Sequence, residues 1–283
     1  MSETGGKRGS VVVTGTSSGI GRSTAEKLAE EGYTVFAGVR DPADGERIAA
    51  DVAGDVVPMT LDVTDQASIQ SAAAQVSERT GGELAGLVNN AGTGFAEPLE
   101  TIDIDRFREQ LEVNLVGQLA VTQAFLPMLR AANGRLVFMG SIGGKTAFPF
   151  AGPYITSKHA LEGLADSLRQ ELRGSGVDVA LIEPGPMDTE IWPKAAKRAR
   201  AADDRLRGAQ AERYRERLRS FADRLDSTPE RSASPELVAE TVSEALSTRR
   251  PSSRYPVGGR ARVLYRVRPL IPDRVYDAAV SRL

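Results

Sequence analysis

The sequence predicts a single α/β domain in which helices cover both faces of a doubly wound parallel sheet. Short apolar runs alternate with amphipathic segments along most of the chain, a pattern typical of strands joined by helical crossovers. Such crossovers are right-handed in nearly all proteins, so the strands that they join lie parallel. The 283 residues contain no internal repeat and no linker that would divide the core, which favours one domain.

The predicted strands and helices follow one another in chain order. Val11–Gly15 is a run of valines typical of a buried strand, and Ser23–Gly32 is an amphipathic segment that stops at a glycine, as helices commonly do. The same alternation predicts further strands at 33–39, 56–63, 84–92, 134–141 and 177–185, and further helices at 44–52, 68–79, 105–130 and 154–173. Ligands bind such sheets beyond the carboxyl ends of the strands. The residues at those ends include Gly15, Asn90, Ser141 and Pro184.

Composition excludes several classes of protein. The formal net charge of −2 argues against a nucleic-acid binder that relies on bulk positive charge. The absence of cysteine excludes disulfides and thiolate chemistry, and the one histidine, His159, excludes a multi-histidine site, so no metal is expected. No apolar run approaches the ~20 residues that span a bilayer, and the polar N-terminal segment has no signal-peptide core. We therefore expect a cytoplasmic protein with no transmembrane segment.

The segment TGTSSGIGR, Thr14 to Arg22, connects the first strand to the first helix. Gly15 permits a tight turn, Gly19 lets the backbone approach a phosphate, and Gly21 lets helix and strand pack closely. The N–H groups of the first helical turn and the helix dipole favour an anion there. The spacing is GxxxGxG rather than the commoner GxGxxG, and a merely structural turn is the alternative. Its place in the first βα unit favours a nucleotide site formed by Gly15, Ser17, Ser18, Gly19, Ile20 and Gly21.

The end of the second strand, GVRDP, bears on the choice of nucleotide. NAD-specific sites carry an acidic residue here for the ribose 2′-hydroxyl, whereas an arginine accommodates a 2′-phosphate. Val39 stands at the acidic position and Arg40 follows it, so the sequence favours NADP(H), with NAD(H) as the alternative. A one-residue shift would bring Asp41 to the ribose instead, and Arg22 is a candidate second cation.

Polar residues also follow the third and fourth strands. Two successive asparagines, Asn89 and Asn90, end a buried strand and therefore need hydrogen-bond partners. The asparagines could hydrogen-bond to neighbouring strand ends and still line the nucleotide site. Asp62 is placed to accept a hydrogen bond from an adenine amino group, with a turn or N-cap role as the alternative. The neighbouring residues are assigned to the same lining: Val63, Ala91 and Gly92.

Tyr154 and Lys158 lie one helical turn apart, just downstream of the glycine-rich segment GSIGGK. A phenol titrates near pH ~10, so a tyrosine that acts as acid or base at neutral pH needs a lowered pKa. A lysine ammonium one turn away favours the phenolate and predicts that lowering. Ser141 ends the fifth strand and is a candidate to hold a substrate oxygen. Asn114 is a candidate to order a water that relays protons to Lys158.

These motifs, in this order, resemble those of the short-chain dehydrogenase/reductase family: TGTSSGIG, NNAG, Asn114, Ser141, YITSK as the family's YxxxK, and PGPMDT. The resemblance is close over 9–189 and implies a Rossmann-like fold and a homodimer or homotetramer. It implies an oxidoreductase with Tyr154 as catalytic acid/base and Lys158 also at the nicotinamide ribose. The other implied catalytic residues are Asn114 and Ser141, and the residues implied to border the nicotinamide are Pro184, Gly185 and Thr189.

The chain extends beyond the minimal family pattern. Lys194–Ser227 is dense in arginine, alanine and aspartate, which predicts a solvated helix pair, a mobile substrate lid, or both. We expect a flexible tail at 1–8, an NADP-binding catalytic domain at 9–260 with a helical lid at about 190–228, and a C-terminal extension at 261–283. The arginine-rich extension is a candidate membrane contact, but its prolines favour a covering arm or a subunit contact.

The predicted reaction is hydride transfer between NADP(H) and a carbonyl or an alcohol, secondary or primary. The extensions resemble those of family members that act on retinoids, steroids and other hydrophobic compounds. The side chains that add an apolar bias to the pocket are Phe148, Phe150, Ile191 and Trp192. Two alternatives are a catalytically silent nucleotide-sensing protein and an epimerase or dehydratase of a sugar nucleotide. The Ser–Tyr–Lys set argues against the first, and the GxxxGxG spacing without a large C-terminal substrate domain argues against the second.

Overall fold

A computed structural model describes residues 8–228 and 232–280. The predicted tail at 1–8 lies outside the described residues except for Arg8, and so do residues 281–283 of the predicted C-terminal extension. Within the described residues, seven strands form one parallel sheet in the order β3-β2-β1-β4-β5-β6-β7. The strands are β1 (Ser10–Thr14), β2 (Thr34–Val39), β3 (Val56–Thr60), β4 (Gly86–Asn89), β5 (Arg135–Met139), β6 (Asp178–Pro184) and β7 (Arg254–Val257).

Helices connect these strands and cover both faces of the sheet. The strand order turns back between β1 and β4, so their carboxyl ends border the crevice where doubly wound sheets bind ligands. The predicted fold class is confirmed. The helices are α1 (Gly19–Glu30), α2 (Pro42–Asp51), α3 (Gln66–Thr80), α4 (Ile104–Leu111), α5 (Gly117–Ala132), α6 (Gly152–Glu171), α7 (Ile191–Asp203), α8 (Gly208–Asp226), α9 (Pro235–Ser247), α10 (Gly259–Val267) and α11 (Asp273–Val280).

The valines of β1 show how the sheet forms a core on each face. Successive residues of a strand point to opposite faces. Val12 belongs to the cluster that packs against α3, α5 and α6, which contribute Ile69, Phe125 and Leu161. Val11 and Val13 belong to the cluster on the other face, against α1 and α9. All three valines are fully buried, which explains why β1 is continuously apolar.

The long helix predicted at 105–130 is interrupted. A π-helical turn at Glu112–Val116 separates α4 from α5, and Asn114 lies inside it, fully buried. A π-turn widens the helix by one residue and occurs frequently at functional sites. The interruption therefore changes which side chains face the sheet edge at this point.

The arginine-rich segment at 194–227 lies in α7 and α8, and this pair buries an apolar face. Ala196, Leu218 and Phe221 pack with Phe150 and Ile155, and Tyr154 lies at the edge of the same cluster. The pair therefore covers the start of α6, which contains Tyr154, the predicted acid/base. Most arginines of the pair are exposed, whereas Arg198 and Arg215 are half-buried.

Four elements of the observed fold were not predicted, β7 and the helices α9, α10 and α11. β7 was missed because its sequence RYPV is short and contains Pro256, which a strand tolerates at the edge of a sheet. α9 was missed although Ser234 precedes it and Pro235 is its first residue, a recognisable start of a helix. No helix in the described part of the chain is both long enough and apolar enough to cross a membrane.

Candidate active site

The glycine turn joins β1 to α1 in a compact corner. Gly15 (φ +71°) and Gly19 (φ +55°) have backbone conformations that favour glycine. Gly21 packs so closely that a β-carbon there would lie 2.2 Å from the Gly15 carbonyl oxygen and 2.4 Å from Nδ2 of Asn90. That amide donates to the carbonyl oxygens of Thr14 and Gly15, at 2.9 and 3.1 Å. The structure therefore brings the glycine turn and the NNAG segment together.

Thr14, which the sequence analysis did not single out, ties the same corner. Its hydroxyl oxygen accepts hydrogen bonds from the backbone N–H groups of Asn90, at 3.0 Å, and Ala91, at 2.9 Å. Asn89 finds its partner elsewhere, since its amide donates to the hydroxyl oxygen of Thr122 at 2.8 Å. The signal for Thr14 was its position at the end of a buried strand, directly before the first glycine.

The N-terminus of α1 is suited to a phosphate. Asp41, Asp65 and Asp103 are the N-cap residues that directly precede helices α2, α3 and α4. Each of these carboxylates accepts a hydrogen bond from a first-turn N–H group. Ser18, at the same position of α1, makes no such bond, and the first turn of α1 has no acidic residue. The N–H groups of α1 therefore present the positive end of the helix dipole without a capping side chain. The turn at 15–21 thus fits the diphosphate of a dinucleotide.

The two residues at the end of β2 that bear on cofactor choice differ in their exposure to solvent. Val39 is buried and Arg40 is exposed. Asp41 caps α2, because its carboxylate accepts from the N–H group of Ala43 at 3.0 Å. This bond engages the carboxylate that the NAD(H) alternative requires at the ribose. Arg40 and Asp41 are both exposed, and Asp41 is the one whose side chain is hydrogen-bonded within the protein.

Two other predicted nucleotide contacts are engaged within the protein. Arg22 forms ion pairs with Glu26 and Asp51, both at 2.9 Å, so its charge is balanced within the protein, and its role as a second cation stays a prediction. Asp62 accepts from the backbone N–H and the hydroxyl of Thr64, at 2.9 and 2.7 Å. Asp62 thus has the turn role that the sequence analysis named as the alternative to an adenine contact.

The residues assigned to the crevice lining contact the start of α5. The carbonyl oxygen of Ala91 accepts from Nε2 of Gln118 at 3.1 Å. Val63 is buried, and a β-carbon on Gly117 would lie 2.4 Å from its carbonyl oxygen. Glycine at the first position of α5 therefore allows the chain after β3 to pass close to this helix.

Ser141, Tyr154 and Lys158 meet at the carboxyl end of β5. The Tyr154 and Ser141 side chains adjoin each other, since a β-carbon on Gly143 would lie 3.3 Å from both, and the Ser141 hydroxyl oxygen accepts from the N–H group of Gly143 at 3.0 Å. Lys158 is buried; its ammonium donates to the carbonyl oxygen of Met139 at 2.7 Å and lies 5.8 Å from the centroid of the Tyr154 ring. The three side chains singled out in the sequence thus form one cluster.

Burial governs the protonation of this cluster. It raises the pKa of Tyr154 above the ordinary value of 10.0, and the neighbouring Ser141 side chain only partly offsets this. Burial lowers the pKa of Lys158 from 10.5 to about 8. The predicted lowering of the Tyr154 pKa by Lys158 is therefore not seen, because burial, which disfavours the phenolate, has the larger effect. The phenol keeps its proton at neutral pH.

Asn114 connects the loop after β4 to α6. Its Oδ1 accepts from the N–H group of Thr93 at 2.8 Å, and its Nδ2 donates to the Thr93 carbonyl oxygen and the Ser157 hydroxyl oxygen, both at 3.0 Å. A β-carbon on Gly92 would lie 3.5 Å from the same Oδ1. The amide thus positions the residue before Lys158 rather than Lys158 itself, and the proton relay stays a prediction.

The end of β6 lies next to the glycine turn. Pro184 is the last residue of β6, and the N–H group of Gly185 donates to the carbonyl oxygen of Val257 at 3.0 Å. A β-carbon on Gly19 would lie 3.2 Å from the side chain of Thr189. The residues predicted to border the nicotinamide therefore adjoin those predicted to hold the phosphates.

Two residues that the sequence analysis missed hold the loop at 93–95. Gln110, fully buried in α4, accepts from the N–H group of Phe95 at 2.8 Å and donates to the Thr93 carbonyl oxygen at 2.7 Å. It stands one helical turn before the predicted asparagine, and this spacing was the available signal. Arg198 in α7 donates to the Thr93 hydroxyl oxygen and the Gly94 carbonyl oxygen. No local pattern indicates this contact.

A second buried cluster lies behind the end of β6. Glu183, next to Pro184, is fully buried, and neither of its carboxyl oxygens has a hydrogen-bond partner, nor has Oε1 of Glu162. Oε2 of Glu162 accepts from Lys145 at 2.7 Å and from Arg254 at 3.0 Å. A proton shared between the two carboxyls would satisfy the unpaired oxygens. Burial, and then the hydrogen bond and charge of Glu162, raise the pKa of Glu183 from 4.5 to about 8.

The Glu183 carboxyl should make stability depend on pH. Between pH 4.5 and about 8 the folded state holds a proton that the unfolded state releases, so the free energy of unfolding falls as pH rises through this window. Glu183→Gln removes the titration and keeps the shape. We expect the variant to lose less stability than the wild type across the window in thermal denaturation. Glu240→Gln, at an exposed position of α9, is the control; equal slopes for all three proteins would contradict the prediction.

Comparison with known proteins is consistent with this architecture. A model of the short chain dehydrogenase family matches residues 9–200. The chain is 34% identical over 272 residues to the NADPH-dependent 3-dehydrocapnine reductase of Ornithobacterium rhinotracheale, covering 94% of each chain. It is 34% identical over 281 residues to mouse retinol dehydrogenase 5, covering 96% of this chain and 87% of the relative. A short chain dehydrogenase from Burkholderia cenocepacia J2315, solved in complex with NADP, superposes with a TM-score of 0.72 at 25% identity, over 97% of both chains.

The fold and these relatives define an enzyme, an oxidoreductase that acts on CH–OH groups with NAD(P). The chain belongs to the short-chain dehydrogenase/reductase family. The family predicted from the ordered motifs is thus confirmed, and so is the prediction of an enzyme.

Proposed function

We propose that this enzyme uses NADP(H) to interconvert a carbonyl and a secondary or primary alcohol on a hydrophobic substrate, with Tyr154 as the acid/base. The observation that carries the proposal is that Tyr154 adjoins Ser141, since a β-carbon on Gly143 would lie 3.3 Å from both side chains, and that the buried ammonium of Lys158 lies beside the Tyr154 ring. Each side chain alone could have a structural role. Together, next to a glycine turn that fits a dinucleotide, they are arranged to serve one reacting oxygen.

In the reductive direction, Tyr154 donates its proton to the oxygen that develops from the carbonyl. The raised pKa of Tyr154 keeps this proton on the phenol at neutral pH. Ser141 holds the substrate oxygen beside the phenol. Lys158, one helical turn along α6, would hold the nicotinamide ribose beside the phenol.

The cofactor, when bound, supplies or accepts the hydride at its nicotinamide. The glycine turn would hold the diphosphate through Gly15, Ser17, Ser18, Gly19, Ile20 and Gly21. The adenosine side would be lined by Arg40, Asp62, Val63, Asn90, Ala91 and Gly92. The nicotinamide side would be bordered by Tyr154, Lys158, Pro184, Gly185 and Thr189.

An apolar wall supports a hydrophobic substrate. Phe150, Trp192 and Tyr154 belong to one cluster beneath α7 and α8, and Phe148 is 36% exposed nearby in the chain. A relative named as a retinol dehydrogenase supports an alcohol substrate. The proposal includes α7 and α8 as a lid over about 190–228, a homodimer or homotetramer, and a cytoplasmic location.

Arg40 should determine the preference for NADP(H). Arg40→Asp replaces the cation with a carboxylate that suits a ribose 2′-hydroxyl and repels a 2′-phosphate. We expect NADPH binding to weaken by at least about tenfold, the loss of roughly one charge-assisted hydrogen bond, with little change for NADH. Fluorescence titration with NADPH and with NADH measures both.

The matched control for this substitution is Arg79→Asp, which makes the same charge change at an exposed position of α3. It should leave both affinities unchanged. Equal weakening of NADPH and NADH binding by Arg40→Asp would show that Arg40 does not face the 2′-phosphate.

Turnover tests the proposed reaction directly. Purified protein is incubated with NADPH and a panel of hydrophobic ketones and aldehydes, and consumption of NADPH is followed by absorbance. The expected result is stoichiometric alcohol formation with at least one substrate class. Tight NADPH binding with no turnover on any carbonyl or alcohol would favour the nucleotide-sensing alternative.

A further inference from the structure

Arg198 lies between the α7–α8 pair and the loop after β4. A single nitrogen, Nη1, donates to the Thr93 hydroxyl oxygen at 2.6 Å and the Gly94 carbonyl oxygen at 2.7 Å. The guanidinium also lies over the Phe95 ring, 4.4 Å from its centroid. The cation is therefore half-buried and held in one place rather than mobile in water.

The charge of Arg198 is not balanced by an ion pair. Among the described residues, no carboxylate oxygen lies within 4 Å of its nitrogens, whereas neighbouring arginines of the same two helices have such partners. The charged groups that act on it are Glu109, Arg106 and Arg40. The Arg106 guanidinium also lies over the Phe95 ring and pairs with Glu97. Charges of both signs therefore surround Arg198, and none of the described carboxylates forms an ion pair with it.

Two donors of Arg198 are open to a ligand. Within the part of the chain that the structure describes, Nε and Nη2 make no hydrogen bond, and neither is among the buried unpaired atoms. These two nitrogens form the side of a guanidinium that binds a carboxylate or phosphate through two parallel hydrogen bonds. A cation already taken out of bulk water binds such an anion more strongly than an exposed one.

Arg198 is close to the reacting group. Gly94, whose carbonyl oxygen accepts from Arg198, lies between the guanidinium and Tyr154. A β-carbon at position 94 would lie 3.9 Å from the Tyr154 ring and 3.8 Å from the Ile191 side chain. The guanidinium is thus separated from the acid/base tyrosine by about one residue of the loop. An anion bound at Nε and Nη2 would therefore lie within one side-chain length of the loop that adjoins Tyr154.

We propose that Arg198 binds an oxyanion group of the substrate, a carboxylate, phosphate or sulfonate near the carbonyl or hydroxyl that reacts. The inference rests on the proposed function and narrows its substrate class to hydrophobic compounds with an acidic group. The 2′-phosphate of NADP(H) is a second anion with the same chemistry. It enters the comparison because Arg40, which is proposed to bind that phosphate, is among the charges that act on Arg198. The experiment therefore includes an arm for each source.

Trp192, the single tryptophan of the chain, lies in α7 with Arg198 and reports on binding there. We would titrate the protein saturated with NADP+ with octanoate and, separately, with octan-1-ol, following tryptophan fluorescence. The wild type should bind octanoate at least about tenfold more tightly than octan-1-ol, the ratio that one charge-assisted contact supplies. Arg198→Gln should remove the difference, and Arg198→Lys should keep part of it.

Arg200→Gln is the matched control, because Arg200 lies on the same helix but pairs with Asp223 and Asp226; it should keep the wild-type preference. Equal affinities in the wild type, or a preference that survives in Arg198→Gln, would overturn the proposal. So would a selective loss of NADPH over NADH affinity in Arg198→Gln with octanoate binding unchanged, which would assign the arginine to the cofactor phosphate. Octanoate binding does not require turnover. The titration therefore tests the role of Arg198 even if the proposed reaction is not observed.

Discussion

Tyr154→Phe is expected to lower turnover by about 10²–10⁴-fold, the range that general acid–base catalysis contributes, and to leave NADPH affinity nearly unchanged. The substitution removes the hydroxyl that is proposed to donate the proton and that lies beside Ser141. It keeps the ring that packs at the edge of the α7–α8 cluster. Steady-state turnover of a ketone substrate measures the first effect, and fluorescence titration with NADPH measures the second.

Tyr255→Phe serves as the control for Tyr154→Phe. The Tyr255 hydroxyl accepts from the N–H group of Ser252 at 2.9 Å, in β7 and away from the site, so its removal should leave turnover unchanged. Near wild-type turnover in purified Tyr154→Phe would contradict the mechanism. Loss of NADPH binding in that variant would instead point to a structural role for the hydroxyl.

Gly21→Ala is expected to abolish cofactor binding and to destabilise the fold. The new β-carbon would lie 2.2 Å from the Gly15 carbonyl oxygen and 2.4 Å from the Asn90 amide. Neither group can move away freely, because the amide bonds to Thr14 and Gly15. Overpacking of this kind costs about 1–3 kcal/mol, which corresponds to a decrease in Tm of roughly 2–10 °C. Thermal denaturation and NADPH titration measure the two effects.

Gly163→Ala provides the contrast for Gly21→Ala. Gly163 is exposed in α6, and a β-carbon there would have no neighbour within 4 Å. Because glycine weakens a helix interior, the alanine should raise stability by about 0.5–1 kcal/mol. NADPH binding by Gly21→Ala equal to that of the wild type would mean that the glycine turn does not hold the cofactor.

The strands and the motifs could be predicted because their signals are local. The valines of β1 indicate a buried strand whatever lies around them, and the glycines at 15, 19 and 21 indicate a turn by their spacing alone. The spacing of Tyr154 and Lys158 places them on one helical face. The π-turn around Asn114 could not be predicted, since one extra residue in a helical turn leaves the apolar pattern almost unchanged.

Protonation could not be predicted from spacing either. The sequence suggested that Lys158 lowers the pKa of Tyr154, but burial raises it and the ammonium bonds to Met139. Arg22 illustrates the same point, because its partner Asp51 lies on another helix. The pKa and the charge of a side chain depend on everything that surrounds it, including residues far away in the chain.

By itself, the sequence determined the fold class, the family and the set of residues that form the candidate site, because short-range periodicity and ordered motifs carry that information. Only the tertiary structure decided which of those side chains are engaged within the protein, as Asp41 and Asp62 are. It alone placed Arg198 on the loop at 93–95, and Glu183 against Glu162. These contacts join elements that are distant in the chain, and packing of the helices against the sheet, rather than any local pattern, brings them within hydrogen-bond distance.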